Sequence, residues 1–156
     1  MKRSKIIAVC GSSVVDGEGE NRARQVGRLI ARQGFALVCG GLGGVMEASC
    51  SGAKEEGGIT IGILPGSHRE DANPFVDVPI VTGIGHARNS IIVQTANAVI
   101  ALPGGAGTMS EISLALKVGT PVVALDAWKE ISGIKHASSP AEAVDIATKV
   151  VMENRS

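Results

Sequence analysis

Aromatic side chains are nearly missing: Phe35, Phe75 and Trp128 are the whole set in 156 residues. Single-stranded nucleic acid is gripped by stacking its bases on aromatic platforms, and three scattered rings do not build one. Excess charge is missing too, since 15 Lys and Arg face 15 Asp and Glu. No basic run stands out, so the electrostatic footprint of a nucleic-acid binder is lacking. No apolar stretch is long enough to span a bilayer. The basic start Met1-Lys2-Arg3-Ser4-Lys5 leads only into Ile6–Cys10, too short for the core of a signal peptide, so a cytoplasmic protein is expected. Cysteine is sparse: Cys10, Cys39 and Cys50 are an odd set that reads as small hydrophobes in a reducing compartment. Cys10 and Cys39 would end two strands and could lie near each other. His68, His86 and His136 are scattered without metal-ligand spacing, and His68-Arg69-Glu70-Asp71 reads as a solvated loop face, so neither a metal nor a redox cofactor is expected.

What the chain does have is small aliphatic residues and glycine. The 44% hydrophobic content is carried by Ala, Val, Ile and Leu, which suits a tightly packed parallel sheet. Short β-branched runs alternate with helix-length segments, the signature of βαβ units. Strands are expected at Lys5–Cys10, Phe35–Cys39, Ile59–Leu64, Val76–Val81, Ala98–Leu102 and Pro121–Leu125, the last of the series. Helices are expected at Asn21–Gln33, from the glycines after Cys39 to about Glu56, at Ala87–Thr95, from the Pro103 turn to about Val118, and at Pro140–Glu153. Val76–Val81 belongs at an edge because Pro79 donates no ladder bond. The pattern predicts one Rossmann-like domain over residues 1–156, a doubly wound parallel sheet in three α/β/α layers.

In such a sheet the C-terminal ends of all strands share one edge, and ligands bind there where the strand order reverses. Three turns fall on that edge: Gly11-Ser12-Ser13, Gly40-Gly41-Leu42-Gly43-Gly44, and Pro103-Gly104-Gly105-Ala106-Gly107-Thr108. Glycine allows a phosphate oxygen close to the backbone, and a helix start adds free N–H groups and a positive dipole end. Gly11, Ser12, Gly41, Gly43, Gly44, Gly104, Gly105, Gly107 and Thr108 are therefore candidate phosphate ligands. Glycines that merely allow tight turns are the alternative for each turn alone. The dinucleotide fingerprint is incomplete: no acidic residue ends the second strand, and Met46 and Ser110 stand where a third glycine would be. No P-loop pattern occurs anywhere, so NAD binding and ATP hydrolysis are not supported.

The stretch from Pro103 to Glu111 matches the Pro-Gly-Gly-x-Gly-Thr-x-x-Glu signature of the Lonely Guy family of phosphoribohydrolases, once labelled lysine decarboxylases, and the chain resembles that family from its first strand to about Leu125. Gly40–Met46 is similar to the family's second glycine motif, and Arg88 sits where the family carries its catalytic arginine. Asn89 stands in place of the lysine that follows this arginine, and Asn97-Ala98 in place of Asp-Ala. Ala72-Asn73-Pro74, Thr82-Gly83 and Ala87-Arg88-Asn89 resemble a shorter subgroup that includes the algal molybdenum cofactor carrier proteins, which bind a phosphorylated pterin without transforming it.

The resemblance makes Arg88 and Glu111 the candidate catalytic pair, with Asn89 a candidate ligand contact or local cap. Arg88 would sit at the positive end of a helix, which costs a cation about 0.3–1 kcal/mol unless an anion compensates; the alternative is a surface arginine paired with the Glu70-Asp71 loop. Glu111 either stabilises an oxocarbenium-like ribose or closes a capping box with Thr108. Ser12 and Thr108 are phosphate hydroxyl donors or turn caps. Two readings follow. The first, slightly favoured, is a phosphoribohydrolase that splits a nucleoside 5′-monophosphate into base and ribose 5-phosphate. The second is a non-catalytic carrier of a phosphorylated cofactor such as molybdopterin. A homodimer or larger assembly is expected in either case.

Overall fold

The computed structural model describes residues 1–154. Its strands are β1 (Ile6–Cys10), β2 (Ala36–Cys39), β3 (Thr60–Leu64), β4 (Val78–Val81), β5 (Ala98–Ala101), β6 (Val122–Leu125) and β7 (Lys135–Ala137). The helices are α1 (Gly17–Arg32), α2 (Val45–Glu55), α3 (Asn89–Thr95), α4 (Ala106–Val118) and α5 (Pro140–Glu153). All seven strands form one parallel sheet in the order β4-β3-β2-β1-β5-β6-β7. The chain runs outward from β1 to β4, then returns to β5 on the other side of β1. The order therefore reverses between β1 and β5, which pair from Ile7↔Ala98 to Cys10↔Ala101. This is the doubly wound α/β architecture expected from the alternation.

Side chains alternate between the two faces, as a pleated strand requires. Ile7, Val9, Leu37, Cys39, Ile100 and Leu125 pack under α1, α2 and α5 in one core. Ala8, Cys10, Val38, Ile63, Val99 and Ala124 pack under α3 and α4 in the other. The same alternation corrects the cysteine expectation. Cys10 and Cys39 lie on opposite faces, and the thiols that approach are those of Cys39 and Cys50, 3.5 Å apart. Burial pushes the Cys10 thiol up, while the Cys50 thiol is pushed up first by its contact with Cys39 and then by burial, so neither is a ready nucleophile.

The elements depart from the expected pattern at several points. The helix expected at Asn21 begins at Gly17, because the Asp16 carboxylate accepts the Gly19 N–H at 2.8 Å and caps it. A strand follows the one expected to be last: β7 pairs with β6 through Val123↔Lys135 and Leu125↔Ala137. Its Lys135 and His136 are exposed, so no apolar run marks it. The His68–Asp71 segment, expected as a solvated loop face, holds a 3₁₀ turn at Arg69–Asp71. β4 does lie at an edge, with Pro79 inside it. Among the described residues no helix is long and apolar enough to cross a membrane.

Candidate functional site

The three glycine turns meet at the reversal point. The Ser12 N–H donates to the Pro103 carbonyl at 2.9 Å, and the Val45 N–H donates to the Ser12 carbonyl at 2.9 Å. These bonds tie the ends of β1, β2 and β5 into one rim. Gly44 enters α2 at φ 65°, packed on the Ser12 and Ser13 backbone where a side chain would collide. Gly11 lies under Val45, Gly41 packs against Leu64 and the Gly62 backbone, and Gly104 lies against Gly11 and Thr108. These positions are glycine because the rim is tight. Gly43, Gly105 and Gly107 are different. A Cβ would meet nothing within 3.4 Å at Gly43, and nothing within 4 Å at Gly105 or Gly107.

The starts of α2 and α4 are left without side-chain caps, whereas Asp16 caps α1 and Ser139 caps α5. In α4 the first helical bond runs from the Met109 N–H to the Gly105 carbonyl at 3.0 Å. The N–H groups of Ala106, Gly107 and Thr108 therefore precede the helical ladder, at the positive end of a 13-residue helix. Gly104–Gly107 are exposed and Thr108 is buried. The arrangement is an anion cradle of backbone donors, open to a ligand that can come close.

The hydroxyls divide. Ser12 Oγ donates to the Val14 carbonyl at 2.6 Å and accepts the Val14 N–H at 3.1 Å, so it shapes its own turn. Thr108 is the third residue of α4, with its Oγ packed on Gly104. The capping box is not formed, since Gly105 occupies the cap position and Thr108 lies inside the helix. Glu111, one turn further along the same face, is thus buried without a capping partner and is only 9% exposed. Burial pushes its carboxyl up to about 7, with Arg88 pulling the other way.

Arg88 ends a 3₁₀ turn (Gly85–Arg88) and stands one residue before α3, whereas the helix expected from Ala87 would have contained it. It is not a surface arginine held by the Glu70-Asp71 loop: it is 7% exposed. Its Nε donates to the Ile63 carbonyl at 2.9 Å, and its Nη1 donates to the Asn89 side-chain carbonyl. A Cβ on Gly40 would stand 2.6 Å from Arg88 Nη2, so Gly40 makes room for the guanidinium. Pattern reading left Gly40 out of the site, although it belongs to the same glycine motif. Asn89 is 1% exposed, and its Nδ2 donates to Ser110 Oγ at 3.4 Å. It therefore positions Arg88 and does not itself open onto the rim. Arg88 and Glu111 form no ion pair within 4 Å, yet each feels the other's charge. Burial disfavours the Arg88 charge and Glu111 partly offsets this.

Known proteins with this architecture divide along the two readings. The family model described as the SLOG cluster4 family matches residues 4–153. A cytokinin riboside 5′-monophosphate phosphoribohydrolase of Mycobacterium marinum is 33% identical, over 97% of this chain and 86% of that protein. The molybdenum cofactor binding protein of the phototrophic bacterium Rippkaea orientalis superposes with a TM-score of 0.90 at 38% identity, over 97% of this chain and 99% of that one. The molybdenum cofactor carrier protein of Chlamydomonas reinhardtii gives a TM-score of 0.89 at 36% identity, over 96% and 99% of the two chains.

Proposed function

This chain belongs to the SLOG cluster4 family, and we propose that it binds a phosphorylated heterocyclic small molecule at the start of α4 and holds it intact. The observation that carries the binding is the open, uncapped turn at Gly105–Thr108. A Cβ at 105 or 107 would meet no atom of the chain within 4 Å, and its absence leaves room for a ligand oxygen to approach the N–H groups. Carriage is favoured over turnover by how the charged pair is spent. Arg88 is buried and fixed by Ile63 and Asn89. Glu111 is half-neutral near pH 7, whereas a developing ribosyl cation is best served by a fully ionised carboxylate. The full-length correspondence with the molybdenum cofactor proteins points the same way, so a pterin phosphate is the first ligand class and a nucleoside monophosphate the second.

One observation favours the hydrolase reading: a carboxyl titrating near 7 is suited to proton transfer at neutral pH. In that case the α4 turn holds the 5′-phosphate and water adds to C1′ of the ribose. The base departs with the proton Glu111 relays, leaving ribose 5-phosphate. Arg88 steadies the sugar or the departing base.

The functional unit is a cytoplasmic dimer or larger. Val78 and Ile80 are register partners of Ile61 and Ile63, so they face the α3 and α4 side, where they remain 45% and 42% exposed. With the exposed Ile84 they form an apolar strip suited to a second copy.

The decisive experiment titrates the protein with pterin phosphates and nucleoside monophosphates while following release of ribose 5-phosphate. Binding without release supports carriage. Release in step with free base establishes the hydrolase, and absence of any binding refutes both.

A further inference from the structure

On the α1 side of the rim lies a cleft of about 460 Å³ that the anion cradle does not use. It begins at Ser12 and Gly104, so it shares a wall with the α4 turn. Its apolar lining comes from Val14, Val15, Val45, Leu102 and Leu125. Val45, Leu102 and Leu125 are at most 1% exposed, so the cleft reaches the core. Its mouth is polar and net acidic: Asp16, Glu18 and Arg22 of the α1 start line it. Arg22 Nη1 is 2.6 Å from Asp126, and Nη2 is 3.2 Å from Glu18.

The loop that follows Leu125 of the cleft lining is held under strain, with Trp128 packed on the α3 and α4 side. Asp126 and Trp128 are the non-glycine residues with positive φ among those described, at 48° and 60°. For a residue as bulky as tryptophan that is a true outlier. Asp126 is tied down by Arg22, and the Trp128 indole N–H donates to the Leu102 carbonyl at 3.0 Å. Backbone strain of this kind persists where the surroundings over-determine it, and it clusters at ligand clamps.

We infer that this cleft is the ring subsite of the same ligand: a flat heteroaromatic group with N–H donors on its edge lies between Val15, Val45 and Leu125 while its phosphate rests on the α4 turn. The inference rests on the proposed phosphate binding. Two observations orient the ligand. The cleft is walled by aliphatic side chains, which suits a ring and not a phosphate. Its mouth carries the carboxylates of Asp16 and Glu18 against the single cation of Arg22, so it repels a second anion and accepts hydrogen bonds from ring N–H groups. The ring then lies on the α1 face of the sheet, whereas Arg88 and Glu111 belong to the α3 and α4 side. A ligand seated this way is held by both ends.

The test is calorimetric titration with ribose 5-phosphate, GMP and a phosphorylated pterin, on the native protein and on Val15→Trp, which fills the cleft. At least one ring-bearing ligand should bind ten-fold or more tighter than ribose 5-phosphate to the native protein. Val15→Trp should remove that advantage and leave ribose 5-phosphate affinity unchanged. Val14 is 81% exposed, so Val14→Gln keeps the fold if Val15→Trp does not, and its polar side chain in place of an apolar wall should weaken the ring-bearing ligands alone. Equal affinities for all three compounds, or ring-bearing ligands that ignore both variants, overturn the ring subsite and leave phosphate binding standing. Failure of every compound to bind overturns the phosphate reading and the subsite with it.

Discussion

Replacing Glu111 with glutamine should make the protein more stable at alkaline pH and should not do so in acid. The carboxyl is held at about 7 in the fold against an ordinary 4.5. The unfolded chain therefore gives up this proton at a lower pH than the folded one does. Between those values the folded state binds more protons, so stability falls as pH rises, and the loss is complete once pH exceeds the folded value. Below 4.5 both states are protonated and the group contributes nothing to the slope. Each pH unit of displacement is worth about 1.4 kcal/mol, so ionising Glu111 in place costs roughly 3 kcal/mol. In a domain of this size that corresponds to a melting difference on the order of 6–12 °C. Glutamine carries no charge to desolvate, so the variant lacks the descending limb. Urea unfolding from pH 4.5 to 8.5, followed by the fluorescence of the single tryptophan, reads it directly. The quantity of interest is the difference between parent and variant, in which the other titrating groups cancel. That difference should grow by about 3 kcal/mol towards alkaline pH, centred between 5 and 7. Parallel curves with a constant offset would refute the reasoning, because Glu111 would then ionise as an exposed carboxylate does.

Binding of a phosphorylated ligand at pH 7 should take up a fraction of a proton, because an added anion raises the Glu111 carboxyl further; calorimetry in buffers of different ionisation heat measures it, and zero uptake counts against proximity. Gly107→Ala should keep or raise thermal stability by up to about 1 kcal/mol, since alanine favours a helix, while weakening phosphate-ligand affinity ten-fold or more; unchanged affinity would place the ligand elsewhere. Asn89→Ala should release Arg88 and weaken ligand binding several-fold, and Asn89→Asp should largely restore it because its carboxylate accepts the same Arg88 N–H. Light scattering at micromolar concentration should return a dimer or larger, and Ile80→Glu should shift it towards monomer.

The sheet could be read from the sequence because its strands are buried on both faces. Ala98–Ala101 and Val122–Leu125 are apolar at every position, as only a central parallel strand needs to be. β7 could not be read this way: it is three residues long, two of them exposed, and it exists because β6 offers it an edge. The glycine turns were legible for a related reason. Backbone that must approach other backbone leaves a compositional mark, and strand polarity alone puts the three turns on one edge.

Side-chain state was decided by the tertiary structure. Thr108-x-x-Glu111 satisfies a capping box in sequence, yet Gly105 takes the cap and leaves Glu111 buried. Arg88 sits one residue from Asn89 in the chain, but the groups that fix it include the Ile63 carbonyl and the space left by Gly40, from two other strand ends. The cleft beside the rim likewise draws on α1, α2 and the ends of β5 and β6. Local patterning determines which segments become strands and helices, because that depends on neighbours within a few residues. Burial, and with it the charge of Glu111 and the reach of Arg88, depends on what distant segments bring alongside, and only the folded chain determines that.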